Sequence, residues 1–214
     1  MSYKTILFDL DGTLTDPGIG ITNSVAYALK KLNYPEQSRN ELFKFIGPPL
    51  IDSFTSFCGM SLDEARLGVK IYREYYAENG IFENYVYEKI PELLQRLKDG
   101  GKTLIVASSK PEVFCRKIME HFDLEKYFFY IAGSNMDESR STKAEVIEYA
   151  LKTCNIGDCS EVLMVGDRKH DVLGAKQFNI DTCGVLFGYG SKEELTDAGA
   201  KYLAATPLEI LNYV

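Results

Sequence analysis

Asp9 and Asp11 stand one residue apart in ILFDLDGTLTD, where an apolar run breaks into Gly12-Thr13. Carboxylates at alternate positions of a strand end project to one side and repel each other unless a cation lies between them. A metal ion is the simplest such cation. Three further polar features close apolar runs or open the helices after them. They are Ser108 and Ser109 at the end of TLIVASS, Lys143 after SRST, and Asp167 and Asp171 in GDRKHD. Each taken singly has a structural reading: a strand-terminal Asp as cap or turn former, a Ser before Pro111 as helix start, a lone Lys as a solvated charge. Together they describe something else. Four carboxylates, a hydroxyl and an ammonium at one sheet edge would be unstable without a hard divalent cation, and oxygen ligands suit Mg2+. Such a site has the parts of phosphoryl transfer: a metal to neutralise oxygens, donors in Lys143, Ser108 and the Gly12 turn, and a carboxylate in line.

These residues meet only if the chain folds as a parallel sheet. Thr5 to Phe8 predicts a first strand, and from about residue 88 short apolar runs alternate with helical patterns. IPELLQRLKDGGK is a helix with Pro91 in its first turn and a Gly100-Gly101 stop. TLIVASS, YFFYIAGS, EVLMVGD and DTCGVL are strand regions. PEVFCRKIMEHF, Thr142 to Thr153, Lys169 to Phe178 and Ser191 to Asp197 are helices, with a short AKYLA and a terminal helix after them. This β-α alternation implies an α/β doubly wound parallel sheet covered by helices on both faces, with ligands at the strand carboxyl ends.

Residues 16–86 interrupt the alternation with helical periodicity. Ile21, Val25, Leu29 and Leu32 share one face, and Ala65, Val69, Tyr72 and Tyr76 another. The second helix opens on a Ser61/Glu64 capping box and stops at Gly80. Between the two, FIGPPL is a break in which Gly47 allows close backbone approach to a ligand. The expected organisation is therefore a core of residues 1–15 and 87–214 carrying a helical insertion of 16–86, with joints near Asp16-Pro17 and Phe82 to Tyr87. Tyr72, Tyr75 and Tyr76 read as core of that insertion rather than as a stacking platform.

The 214 residues, 45% hydrophobic and 26% charged, suit one α/β core with a small second domain. A net charge of −7 argues against a broad face for a nucleic acid polymer. Five cysteines without a C-x-x-C read as reduced, inert thiols. No apolar window of about 20 residues occurs, so the expectation is a cytoplasmic protein without a membrane segment, as monomer or homodimer. His121 and His170, the two histidines, are expected to be a surface or capping residue and a bystander beside Asp171.

DLDGT, Ser108 after a strand, Lys143 and GDRKHD, in that order, resemble the four motifs of the haloacid dehalogenase-like (HAD) phosphatase superfamily. The resemblance spans essentially the whole chain, and the insertion occupies the place of that family's α-helical cap. FIGPPL and SKPEVF resemble the phosphoglycolate phosphatase-like branch, which includes enzymes acting on nucleoside 5′-monophosphates. By resemblance, Asp9 would be the nucleophile forming an acyl phosphate, and Asp11 the general acid and base. Mg2+ would be held by Asp9, the main-chain carbonyl of Asp11, and Asp167. Asp171 would support them or steady Lys143. Ser108, Ser109 and adjacent N–H groups would bind phosphate, Lys143 would balance charge, and Gly47 in the cap would bear on specificity. The implied function is a Mg2+-dependent phosphatase for a small phosphorylated molecule.

Three alternatives share parts of this pattern. A dehalogenase needs no acid at Asp11, because a departing halide takes no proton. A phosphomutase of the β-phosphoglucomutase type shares every motif and differs in its product. A receiver-like phosphoacceptor domain is shorter, carries its acceptor after the third strand, and has no helical insertion after the first.

Overall fold

The computed structural model of the chain describes residues 3–137 and 139–214. Its first strand, β1 (Thr5–Phe8), is the TILF run, buried at all four positions. The two-residue strand β2 (Thr15–Asp16) follows, then the helices α1 (Gly18–Lys31), α2 (Arg39–Leu42), α3 (Leu50–Cys58) and α4 (Leu62–Tyr75). After β3 (Tyr85–Val86) the chain alternates. The order is α5 (Ile90–Asp99), β4 (Thr103–Pro111), α6 (Glu112–His121), β5 (Tyr130–Ser134), α7 (Lys143–Thr153), β6 (Val162–Gly166), α8 (Lys169–Lys176), β7 (Asp181–Val185), α9 (Lys192–Ala198) and β8 (Tyr202–Ala204).

Six strands form one parallel sheet in the order β5-β4-β1-β6-β7-β8. β1 lies at its centre, with Phe8 opposite Val106 on one side and Val165 on the other. The chain builds outward from β1 through β4 and β5, then returns to place β6 on β1's other edge. That reversal opens a crevice at the strand carboxyl ends, where ligands of doubly wound sheets bind. Central parallel strands are covered on both faces, so TILF and VLMVG are buried throughout. Leu7, Ile105, Ala132 and Met164 pack with Val146, Ile147 and Ala150 of α7 as part of this core.

The chain divides into two compact units, Met1–Asp16 with Val86–Val214, and Pro17–Tyr85. Within the second, Ile21, Val25 and Leu29 of α1 and Ala65, Val69 and Tyr72 of α4 are buried, as the periodicity requires. Phe45 and Phe54 meet edge to face at 5.3 Å, and Tyr72 stacks on Tyr76. Capping boxes at Ser38/Glu41 and Ser61/Glu64 satisfy the first turns of α2 and α4. FIGPPL runs from the last residue of a 3₁₀ turn (Phe43–Phe45) to the first of α3, and Gly47 has φ 105. Tyr75, at the end of α4, donates its hydroxyl to Glu83 and sets its ring beside Tyr27.

Local details depart from the sequence reading. α4 ends at Tyr75, and a π turn (Tyr76–Gly80) carries the chain on to Gly80. YFFYIAGS is strand only from Tyr130, after a 3₁₀ turn at Glu125–Tyr127. α8 stops at Lys176, two residues short of Phe178, and the C-terminal segment is 3₁₀ (Pro207–Tyr213) rather than α-helix. Tyr213 there gives its hydroxyl to Leu203 O at 3.0 Å and stacks on Tyr202, so tertiary contacts set its tighter winding. All five cysteines are free. Among the described residues no helix is long and apolar enough to cross a membrane.

Candidate functional site

Adjacent strands in register bring the two acidic motifs together. Asp9 follows β1, and its N–H donates to Val165 O at 2.9 Å. Asp167 follows β6 one residue beyond Gly166. Between Leu10 and Thr15 the chain folds back tightly, with Gly12 N–H donating to Thr15 O at 2.8 Å. Gly12 has φ 80, and a Cβ there would lie 2.2 Å from Asp167 Oδ2. Only glycine supplies both that backbone shape and that clearance.

β4 contributes through an irregularity. Ala107 pairs with Ala132 and Pro111 with Ser134, so residues 108 to 110 span what one residue spans on β5. Such a bulge takes backbone groups out of the ladder and re-aims side chains. Ser108 is buried within it, and its Oγ accepts the Lys110 N–H at 3.4 Å; Ser109 is half-buried. Lys143 is the first residue of α7, fixed by a capping box between Thr142 and Glu145. A Cβ at Gly174 would fall 2.9 Å from Lys143 Cγ, so glycine in α8 leaves room for the lysine stem.

Lys143 Nζ lies 2.7 Å from Asp9 Oδ1 and 2.8 Å from Asp171 Oδ1, and donates to Ala107 O at 3.0 Å. Burial alone would lower its pKa, but Asp171 and Asp9 outweigh burial and raise it. Asp9 Oδ1 also accepts the Leu10 N–H at 2.7 Å. Asp171 Oδ2 accepts the Arg168 N–H at 3.0 Å, and burial pushes the Asp171 carboxyl up to about 6 against the pull of Lys143. Asp167 is fully buried, and burial together with the charges of Asp171 and Asp9 raises it well above the carboxylate range. Its Oδ2 accepts the Tyr189 N–H at 2.8 Å, while Oδ1 is buried with no hydrogen-bond partner among the described residues.

Asp9, Asp167 and Asp171 can bring one oxygen each within 4.8 Å of one another. Counting Asp11 with them, and Lys110 and Lys143 as cations, two negative charges remain when every group is ionised. One divalent cation balances that, and the orphaned Asp167 oxygen faces desolvation with nothing to offset it unless a cation or donor is supplied. The donor set is all oxygen, as Mg2+ demands.

The residues singled out in sequence therefore gather at one edge of the core unit, apart from Gly47, which belongs to the helical unit. Asp11 differs from its neighbours. Its carboxylate lies outside the three-carboxylate group among the described residues and is paired with Lys110. Asp171, read as a supporting residue, is in the group. His170 is half-buried, and burial lowers its pKa; His121 is exposed on Phe122. Sequence reasoning missed Lys110 and Tyr189. A cation directly after Ser108-Ser109 was a weak signal for the first. The second acts through its main chain, which no residue type announces.

The chain is similar to known proteins along its whole length. Residues 6–185 match the family model described as haloacid dehalogenase-like hydrolase. A 5′-nucleotidase of Pseudomonas aeruginosa is 46% identical over 197 residues, which cover 91% of this chain and 88% of that protein. A phosphoglycolate phosphatase of Vibrio parahaemolyticus is 28% identical over 219 residues, covering 99% and 96%. The crystal structure of a predicted phosphatase from Clostridium acetobutylicum superposes with a TM-score of 0.96 at 45% identity, covering 100% of this chain and 98% of that one.

Proposed function

The chain belongs to the haloacid dehalogenase-like hydrolases, and from that membership we propose a Mg2+-dependent phosphatase that releases phosphate from a small phosphomonoester by way of an aspartyl phosphate on Asp9. The observation that carries this reading is the buried Asp9-Lys143-Asp171 bridge beside the unpartnered Asp167 oxygen. That arrangement orients one carboxylate, neutralises it in part, and leaves net negative charge that a divalent cation held by these oxygens would balance.

Asp9 is the nucleophile, held by Leu10 N–H and Lys143 through Oδ1. Its attack on phosphorus forms the acyl phosphate as the ester oxygen departs. Lys143 offsets the negative charge of Asp9 and of the phosphoryl oxygens. Ser108, Ser109 and neighbouring backbone N–H groups bind the remaining oxygens. Asp11 gives a proton to the leaving oxygen and then takes one from the water that attacks the acyl phosphate. Asp9, Asp167 and the main-chain carbonyl of Asp11 would hold Mg2+, with Asp171 supporting, and the ion would supply Lewis-acid neutralisation of phosphoryl charge. Nucleoside 5′-monophosphates are the first substrate class to test and phosphoglycolate the second, following the identities of the named relatives. The Pro17–Tyr85 unit is the cap that selects among them.

Purified protein assayed for free phosphate on a panel of both classes, and on a sugar 1-phosphate, tests the reading, alongside Asp9→Asn. Wild type should release phosphate only with Mg2+, and the folded Asn variant should release none. Near-wild-type release by that variant, or an isomerised sugar phosphate in place of phosphate, overturns the assignment.

A further inference from the structure

We propose that Lys110 is the positioning residue of Asp11, and that Asp11 Oδ1 is the oxygen that carries the proton in the proposed reaction. The inference rests on the phosphatase reading above and extends it to Lys110, the second residue of SKPEVF, to which that reading gives no role. Both side chains are nearly buried, with 7% exposure for Lys110 and 12% for Asp11, and they form an ion pair through Asp11 Oδ2. Oδ1 of the same carboxylate is buried and has no hydrogen-bond partner among the described residues. A carboxylate anchored at one oxygen presents the other in a single direction, ready to exchange a proton with a group that enters its reach.

The backbone of Lys110 is fixed to suit this task. It is the last bulge residue before Pro111, its N–H donates to Ser108 Oγ at 3.4 Å, and its carbonyl accepts the Cys115 thiol at 3.4 Å. The side chain thus starts from a held point and spans to a residue 99 positions away in sequence. The pairing also answers how the two aspartates of DLD coexist. Asp9 is matched to Lys143, which it shares with Asp171, and Asp11 to Lys110, so the two carboxylates of DLD lean on different buried ammoniums. Separate partners give the two residues separate tasks, one to attack and one to exchange protons.

The step balances as follows. The Asp11 Oδ1 proton passes to the leaving oxygen as its bond to phosphorus breaks and the Asp9-phosphorus bond forms. Asp11, now a carboxylate beside Lys110, takes a proton from the attacking water. The water oxygen bonds to phosphorus as the bond from the Asp9 oxygen to phosphorus breaks, releasing inorganic phosphate and restoring both aspartates. Lys110 exchanges no proton and touches no substrate atom.

A leaving-group series distinguishes positioning from binding or folding. Wild type, Lys110→Met and Lys110→Arg are assayed with Mg2+ on 2,4-dinitrophenyl, p-nitrophenyl and phenyl phosphates and on adenosine 5′-monophosphate. An acid matters most when the departing oxygen is basic. Lys110→Met should therefore lose about 10²-fold in kcat on the nucleotide and within about threefold on the dinitrophenyl ester, with little change in KM. Lys110→Arg should recover much of that loss. In an Asp11→Asn background, Lys110→Met should cost nothing further, because the two act as a unit. For each variant the ratio of rates on the nucleotide and the dinitrophenyl ester is taken within one preparation, so partial unfolding cancels from it. A uniform loss across leaving groups, no loss, or additivity with Asp11→Asn overturns the inference. Wild type that releases no phosphate from any ester sinks instead the phosphatase reading beneath it.

Discussion

Replacing Lys143 with Met removes the ammonium from between Asp9 and Asp171 and keeps the bulk of the stem. The side chain is 4% exposed and meets the two carboxylates at 2.7 and 2.8 Å. At an effective dielectric near 20, each contact is a gross attraction of about 6 kcal/mol. Desolvation of three ions offsets most of that sum. What the substitution loses is the cost of stranding two carboxylates, about 3–5 kcal/mol for a broken buried pair. With a urea slope near the upper end of about 1–3 kcal/mol per molar, the unfolding midpoint in chelator should fall by about 1–2 M. The loss depends on pH with a definite sign. Asp171 stands at about 6 because burial raises it while Lys143 pulls it down, and without Lys143 it rises further. A carboxyl raised in the folded state loses stability as pH climbs through its folded value. The gap between wild type and variant should open above about pH 6 and narrow below it. It should not close toward pH 9, because Lys143 itself is raised and keeps its charge there. Adding Asp171→Asn to the variant should return part of the loss, since one stranded carboxylate goes. A midpoint shift below about 0.3 M in the single variant would show that the bridge carries no such energy.

Asp167→Asn should abolish the rise in melting temperature that Mg2+ gives wild type, which corresponds to about 2.7 kcal/mol at about a hundred times Kd; an equal rise in both places the cation elsewhere. Thr142→Ala removes the cap at the start of α7 and should cost about 1 kcal/mol in urea unfolding. Glu145, held below its ordinary value chiefly by the Thr142 N–H and hydroxyl, contributes stability above that value that is lost as pH falls through the lowered one. The variant should accordingly show a flatter acid limb, and an unchanged limb refutes the coupling. Gly47→Leu forces a branched side chain onto φ 105, so the helical unit should lose about 1–2 kcal/mol. In protein still folded, KM and the ranking of substrates should shift while the Mg2+ response stays; an unaltered ranking leaves FIGPPL a connector.

Local chemistry in the sequence determined a good deal here. TILF and the alternating helices and apolar runs specify a parallel sheet, because strands buried on both faces must be apolar throughout. Ser61 with Glu64, and Pro91 with Gly100-Gly101, mark helix ends through backbone groups a few residues away. The acidic motifs were legible in combination, because a single strand-terminal Asp can cap or turn the chain whereas several carboxylates at one sheet edge call for a cation. Tertiary structure decided which partner each charged group takes. Lys110 reaches Asp11 across 99 residues through a bulge whose extra residues no periodicity reports. Asp171, rather than the Asp11 side chain, joins Asp9 and Asp167, since a helix start beside β6 turns it inward while Lys110 draws Asp11 aside. Tyr189 holds Asp167 by its main-chain N–H, which every residue but proline offers equally. Spacing along a chain fixes the side to which a residue points; the distance between two charges waits on how separate strands and loops register in three dimensions.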